Sequence, residues 1–216
     1  MKQFLIIGAG RFGGSIATTL YNMGNDVLII DDSEEAINQI SGSVTHAIQG
    51  NAADERLIST IGANNFDVCV IAMGSDIQSS ILVAIMLKEA GARYIVAKAQ
   101  NELHAKVLYK VGVDKIVFPE RDMGAKIAQS LVSSNIMDYI ELSPEYSIVE
   151  ITAIKEWIGK NLLELNMRAK YGINIMAIKK GASINISPTA LTVIEEGDVL
   201  IVIGHNSDLK RLEKKV

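Results

Sequence analysis

Three glycines, Gly8, Gly10 and Gly13, stand at G-x-G-x-x-G spacing directly behind the apolar run of residues 4–7. Each has its own task in a loop that cradles phosphate. The first permits a tight turn, the second lets backbone approach a pyrophosphate, and the third lets the next helix pack close to the strand. A helix starting there offers unpaired N–H groups and a positive dipole end to an anion. Arg11 and Phe12 lie inside the loop, and the Arg11 guanidinium has the fork geometry to take a terminal phosphate. Asp31 closes a second apolar run, residues 27–30, where a carboxylate can accept both hydroxyls of a ribose. Asp32 and Ser33 adjoin it and complete that corner. The competing reading of the glycines alone is a turn that binds nothing.

Regular elements must hold these groups in place. Ile16, Leu20 and Met23 recur at helical spacing behind the glycines, and Gly24 ends that helix. Ser33 caps a helix through residue 40, with Glu34 and Glu35 in its first turn. A third strand over residues 44–48 ends at Gly50-Asn51-Ala52, and Asp54 caps a helix over 55–61. A fourth strand, 67–73, turns at Gly74-Ser75-Asp76 into a long helix whose buried side is marked by Ile77, Ile81, Ile85 and Leu87. A fifth strand, 94–97, is followed by Lys98, then a helix from 101 to near Gly112 and a sixth strand over 115–118. Strict alternation with short loops predicts an α/β fold, a Rossmann-like doubly wound parallel sheet. Ligands of such sheets bind beyond the carboxyl ends of the strands. The expected nucleotide site is therefore Gly8, Gly10, Arg11, Phe12, Gly13, Asp31, Asp32, Ser33, Asn51, Ala52, Ala72, Met73, Gly74, Ser75, Lys98 and Glu120. Asn51 reads equally well as a turn former, and Lys98 as an exposed lysine at a strand end.

Composition narrows the function classes. The 216 residues allow one large domain or two small ones, and 49% of them are hydrophobic but only 5% aromatic. A net charge of −4 without blocks of like charge argues against a nucleic-acid partner. Cys69, the single cysteine, sits in an apolar run and reads as a small buried hydrophobe. His46, His104 and His205 match no metal-ligand spacing. The first strand begins within three residues of Met1, which leaves no room for a signal peptide, and no apolar run approaches the ~18 residues of a membrane span. A cytoplasmic protein is expected, with any membrane role exercised through a partner chain.

The pattern changes after Phe118. A helix over residues 123–132 carries Ile127, Ala128 and Leu131 on one apolar side, and short strand-like runs follow at 139–142, 147–154, 173–178 and 199–203. A helical piece over 162–165 and a closing helix over 208–214 make this a smaller C-terminal α+β domain. The division expected is residues 1–136 and 137–216. The second part holds no acid pair, no Ser–His or His–Cys arrangement and no second Gly-rich loop. An NAD-dependent oxidoreductase is the alternative reading of the first part, but hydride transfer needs a positioned acid or base near the nicotinamide. A third reading is a structural subunit that binds no ligand.

Four motifs in this order resemble the RCK family, regulators of potassium conductance, and within it the KtrA-type cytosolic subunits. They are Ile7-Gly8-Ala9-Gly10-Arg11-Phe12-Gly13-Gly14-Ser15, Lys98-Ala99-Gln100-Asn101, Pro119-Glu120-Arg121-Asp122-Met123-Gly124 and Glu145-Tyr146-Ser147-Ile148-Val149-Glu150. Gly50-Asn51-Ala52 departs from the Gly-Asp-Ala of many relatives. The resemblance implies an N-lobe that binds ATP or ADP, alternatively NAD or NADH, a crossover helix that pairs subunits, and an RCK C-lobe. It further implies a homodimer that assembles into an octameric ring beneath a KtrB- or TrkH-type membrane potassium channel or transporter subunit. Cations are expected near the phosphates, with Mg2+, Ca2+ or Na+ at Glu120. The C-lobe of several relatives binds cyclic di-AMP, for which Leu162, Leu163, Arg168, Asn174 and Pro188 are the candidates here. The function implied is regulatory, not enzymatic.

Overall fold

The first strand, β1 (Gln3–Ile7), is buried on both faces through Leu5, Ile6 and Ile7, as a central parallel strand requires. In this computed structural model, which describes residues 1–74, 76–132 and 136–213, it lies between two halves of one sheet. Around it run α1 (Arg11–Asn22), β2 (Asp26–Asp31), α2 (Glu34–Ile40), β3 (His46–Gln49), α3 (Glu55–Ile61), β4 (Val68–Ile71), α4 (Ile77–Glu89), β5 (Ile95–Lys98), α5 (Glu102–Lys110) and β6 (Lys115–Val117). The six strands pair in parallel in the order β3-β2-β1-β4-β5-β6. The winding direction reverses between β1 and β4, which opens a crevice at their carboxyl ends.

Local caps set the helix starts. Ser33, Asp54, Asp76 and Asn101 each accept a backbone N–H from the first turn they precede. Packing then chooses faces that periodicity left open. In α1 the residues against the sheet are Gly13 and Ala17, while Ile16 and Leu20 flank them half-buried and Met23 lies exposed past the helix end. The helix sits too close to the strands for larger side chains on its inner line. In α4 the buried residues are Ser80, Val83, Ala84, Met86 and Leu87, and of the expected stripe Ile77, Ile81 and Ile85 are only half-buried. Apolar residues lie on most sides of that helix, so their recurrence alone does not choose the side that seats on the sheet.

The chain divides into two compact units, Met1–Arg121 and Asp122–Val216, and the division falls inside α6 (Pro119–Val132). This helix begins at Pro119, four residues before the expected start, because proline suits a first helical position whose N–H needs no partner. Ile127, Ala128 and Leu131, the expected apolar side, are exposed in the single chain. The second unit holds β7 (Ile136–Glu141), β8 (Tyr146–Thr152), α7 (Leu162–Leu165), α8 (Met167–Tyr171), β9 (Ile173–Lys180), β10 (Ser183–Asn185), β11 (Val199–His205) and α9 (Asn206–Glu213). Its strands form an antiparallel sheet in the order β10-β9-β11-β8-β7 over a core centred on Trp157, Ile173, Ile178, Leu200 and Val202. Two elements of this unit carry no periodic signal. They are α8, a single turn entered through the left-handed Asn166 (φ 42°), and β10, an exposed three-residue edge.

Candidate functional site

The glycine loop is fixed by backbone geometry at three points. Gly8 adopts φ 104°, and a Cβ there would press on the Ala72 carbonyl and the Met73 amide nitrogen at 3.1–3.2 Å. Its N–H donates to the Ile30 carbonyl at 2.8 Å, and the Ala72 N–H donates to the Ile7 carbonyl at 2.7 Å. The loop is thus clamped between β2 and the end of β4. At Gly13 a Cβ would overlap the Gly8 carbonyl oxygen and stand 2.8 Å from the Ala72 Cβ, so α1 can approach the sheet only with glycine there. A Cβ on Gly10 would meet nothing within 4 Å. Gly10 is the N-cap of α1 and no side chain caps that helix, so its first N–H groups face outward toward any anion that arrives. Arg11 is exposed on this rim and Phe12 is half-buried beneath it.

Asp31 is tied to the loop itself. One carboxylate oxygen accepts the Ala9 N–H at 2.6 Å and the other accepts the Ser33 N–H at 2.9 Å. Four lone-pair directions on a carboxylate leave room for ribose hydroxyls beside these two donors. Ser33 spends its hydroxyl on the Ala36 N–H at the start of α2, and the Asp32 carbonyl accepts from the Gln49 amide at 3.4 Å. The Asn51 side-chain oxygen accepts the Ala53 N–H at 2.9 Å, which is the turn-forming role weighed for it, and Ala52 is buried. Ser75 lies outside the described residues.

Across the crevice, Lys98 at the end of β5 is ion-paired with Glu120 in the first turn of α6. The Lys98 hydrogen bond is the first cause holding the Glu120 carboxyl below its ordinary range, and the Arg11 charge adds to it. The Lys98 ammonium stands 6.0 Å from the centre of the Phe12 ring, so strand end and phosphate loop meet here. Four residues absent from the expected site, Ala99, Gln100, Phe118 and Arg121, line the same cleft of about 270 Å³ with Gly74, Lys98 and Glu120. Gln100 donates its side-chain amide to the Gly74 carbonyl, Phe118 forms a wall, and the Arg121 guanidinium stacks on Phe118 at 3.8 Å while bonding Glu102 at 2.7 Å. Gln100 and Arg121 both fall inside motifs quoted above, which was the one signal available for them. Among the described residues no cluster of three or more His, Cys, Asp and Glu forms a metal cage. A cation at Glu120 would have to share or displace the Lys98 ammonium.

In the C-terminal unit, α7 is tied to the segment after Pro188 by Leu162 N–H to Thr192 carbonyl at 3.1 Å and Leu163 N–H to Ala190 carbonyl at 2.9 Å. Leu163 is 67% exposed and Leu191 73%, which leaves an apolar surface beside the half-buried Pro188. Arg168 is exposed on α8. Asn174 lines a separate cleft of about 540 Å³ with Tyr146, His205, Ser207 and Asp208. Leu162, Leu163 and the Pro188 segment are therefore drawn together within this chain, while the Arg168 carbonyl accepts the Gly172 N–H at 3.2 Å and Asn174 lines the other cleft.

Residues 4–119 match the TrkA-N domain and residues 146–216 the TrkA-C domain. The chain is similar to Ktr system potassium uptake protein C of Bacillus subtilis (strain 168), at 48% identity over 215 residues, spanning 100% of this chain and 97% of that protein. Ktr system potassium uptake protein A of the same organism is 47% identical over 214 residues, 99% of this chain and 96% of that one. Among solved structures, the GsuK channel superposes with a TM-score of 0.70 at 17% identity, covering 98% of this chain and 39% of that chain, a likeness of fold.

Proposed function

The chain belongs to the Ktr-type potassium-uptake family built from a TrkA-N and a TrkA-C domain, and from that premise we propose that it is the nucleotide-sensing regulatory subunit of a potassium channel or transporter. The observation that carries the nucleotide reading is the uncapped start of α1 above Gly10, with the Asp31 carboxylate bonded to the same loop. Phosphates rest on the helix N-terminus and the adenosine ribose on Asp31. ATP and ADP are the ligands that use Arg11 and Lys98, and NAD or NADH can occupy the same crevice. A cation such as Mg2+, Ca2+ or Na+ joins Glu120 to the phosphates when ATP is bound. The regulatory N-lobe extends through the crossover helix to residue 136, and residues 137–216 form a C-lobe that takes cyclic di-AMP against Leu162, Leu163, Arg168, Asn174 and Pro188.

Two chains pair, and the pairs close into an octameric ring at the inner face of the membrane. No helix among the described residues is long and apolar enough to cross a bilayer, so the ring reaches the membrane through its pore-forming partner. The role is one of control rather than catalysis.

A thermal-shift series with ATP, ADP, NAD and NADH, with and without divalent cations, tests the reading. A ligand at a hundredfold excess over Kd adds about 2.7 kcal/mol of stability. For a chain of this size that is roughly 5–10 °C in Tm. No shift with any of the four nucleotides would refute it.

A further inference from the structure

Lys98 and Glu120 are unequal partners. The lysine side chain is 13% exposed and the glutamate side chain 73%. An ammonium so far removed from water needs a permanent counter-charge, whereas an exposed carboxylate can turn to solvent at little penalty. The pair also stands beside the phosphate loop and one further cation. The Lys98 ammonium lies 6.0 Å from the ring centre of Phe12, a residue of the phosphate loop, and the Arg11 charge acts on Glu120. One carboxylate thus serves two cations beside an uncapped helix start. Such a charge set attracts a further anion, and Glu120 is the member free to leave.

Resting on the nucleotide-sensing reading above, we propose that Lys98 is a specificity-determining residue whose ammonium is held by Glu120 until the terminal phosphate of a nucleotide takes the carboxylate's place. The exchange requires a terminal phosphate that approaches a dianion. Nucleoside di- and triphosphates carry one. A dinucleotide carries only the two single charges of its bridging pyrophosphate, which sit on the start of α1 and leave the pair intact. The pair therefore sorts ligands by terminal charge. The released Glu120 stands in the first turn of α6, so the exchange changes the charge at the head of that helix.

Calorimetry on the full chain, in sodium-free buffer with EDTA so that no cation joins Glu120 to the phosphates, tests this with ATP, ADP and NAD against wild type, Glu120→Gln, Lys98→Met and the double variant. Glu120→Gln removes the competitor and keeps the shape. ATP and ADP should bind roughly two- to fivefold tighter, the span of an exposed ion pair, with NAD unchanged. Lys98→Met keeps the apolar stem and should weaken ATP. In that background Glu120→Gln should bring no gain, because the two residues act through one contact. ATP affinity that is unchanged or weaker in Glu120→Gln overturns the proposal. So does a gain of equal size without Lys98, which would be plain relief of repulsion between carboxylate and phosphate. Failure of wild type to bind any of the three ligands would instead sink the nucleotide reading itself. Melting curves of each variant, run alongside, verify that all four chains are folded.

Discussion

Asp31→Ala separates two roles that one carboxylate fills. In the free protein its oxygens accept the Ala9 N–H at 2.6 Å and the Ser33 N–H at 2.9 Å. Removing a charged acceptor half open to solvent costs about 1–3 kcal/mol over both bonds, since water replaces it in part. At about 2–4 °C per kcal/mol, Tm should fall by several degrees. Binding carries a second loss. If the carboxylate also accepts ribose hydroxyls, ATP should weaken by roughly 1.5–3 kcal/mol, or ten- to a hundredfold. Loop distortion alone could weaken ATP, so the decisive comparison is ATP against 2′-deoxy-ATP in wild type and variant. Wild type should prefer ATP, and Asp31→Ala should lose that preference. Equal losses for the two nucleotides would show that Asp31 only shapes the loop. Unchanged ATP affinity would refute both roles, with Asp32 as the residue to examine next.

Gly13→Ala should destabilise the N-terminal unit by about 1–3 kcal/mol or more in urea melts, because its Cβ would meet the Gly8 carbonyl and the Ala72 Cβ. Gly10→Ala, whose Cβ meets nothing within 4 Å, should change stability by less than about 0.5 kcal/mol yet weaken nucleotide binding. Arg11→Ala should lower the ratio of ATP to ADP affinity in calorimetry, and an unchanged ratio would make Arg11 a plain solvated cation. Arg168→Ala in the full chain should weaken cyclic di-AMP at least tenfold while ATP binding stays as in wild type, and equal binding would remove Arg168 from the C-lobe site. Burial lowers the His104 pKa below its ordinary 6.5, and its Nδ1 accepts the Gln100 N–H at 3.3 Å. The unfolded chain therefore binds the proton more readily, so stability is whole above pH 6.5 and declines as pH falls from there toward the lowered value. His104→Leu should flatten the Tm-against-pH curve in that window, and an unaltered slope would show that another group titrates there.

Much of the regular structure is written locally. Ser33 and Asp54 announce α2 and α3 because a side chain one residue before the helix satisfies its first N–H groups. Gly8, Gly10 and Gly13 announce the loop because backbone constraints act between near neighbours. That the strands of the first sheet run parallel follows from the alternation of strands and helices, since parallel neighbours need a crossover between them. The site is another matter. Lys98 meets Glu120 across 22 residues, and Gln100 reaches Gly74 across 26, only because β4, β5 and the start of α6 bring their ends to one side of the sheet. Nothing in the spacing says that Asp31 would bond the Ala9 N–H, or that Arg121 would stack on Phe118. The face of α1 was settled by which small residues let the helix approach the sheet, not by where the large apolar ones recur. The sequence by itself determined which residues can bind an anion and which elements carry them. Tertiary structure decided which of those residues hold one another, because a charge withdrawn from water takes the partner that packing brings within reach.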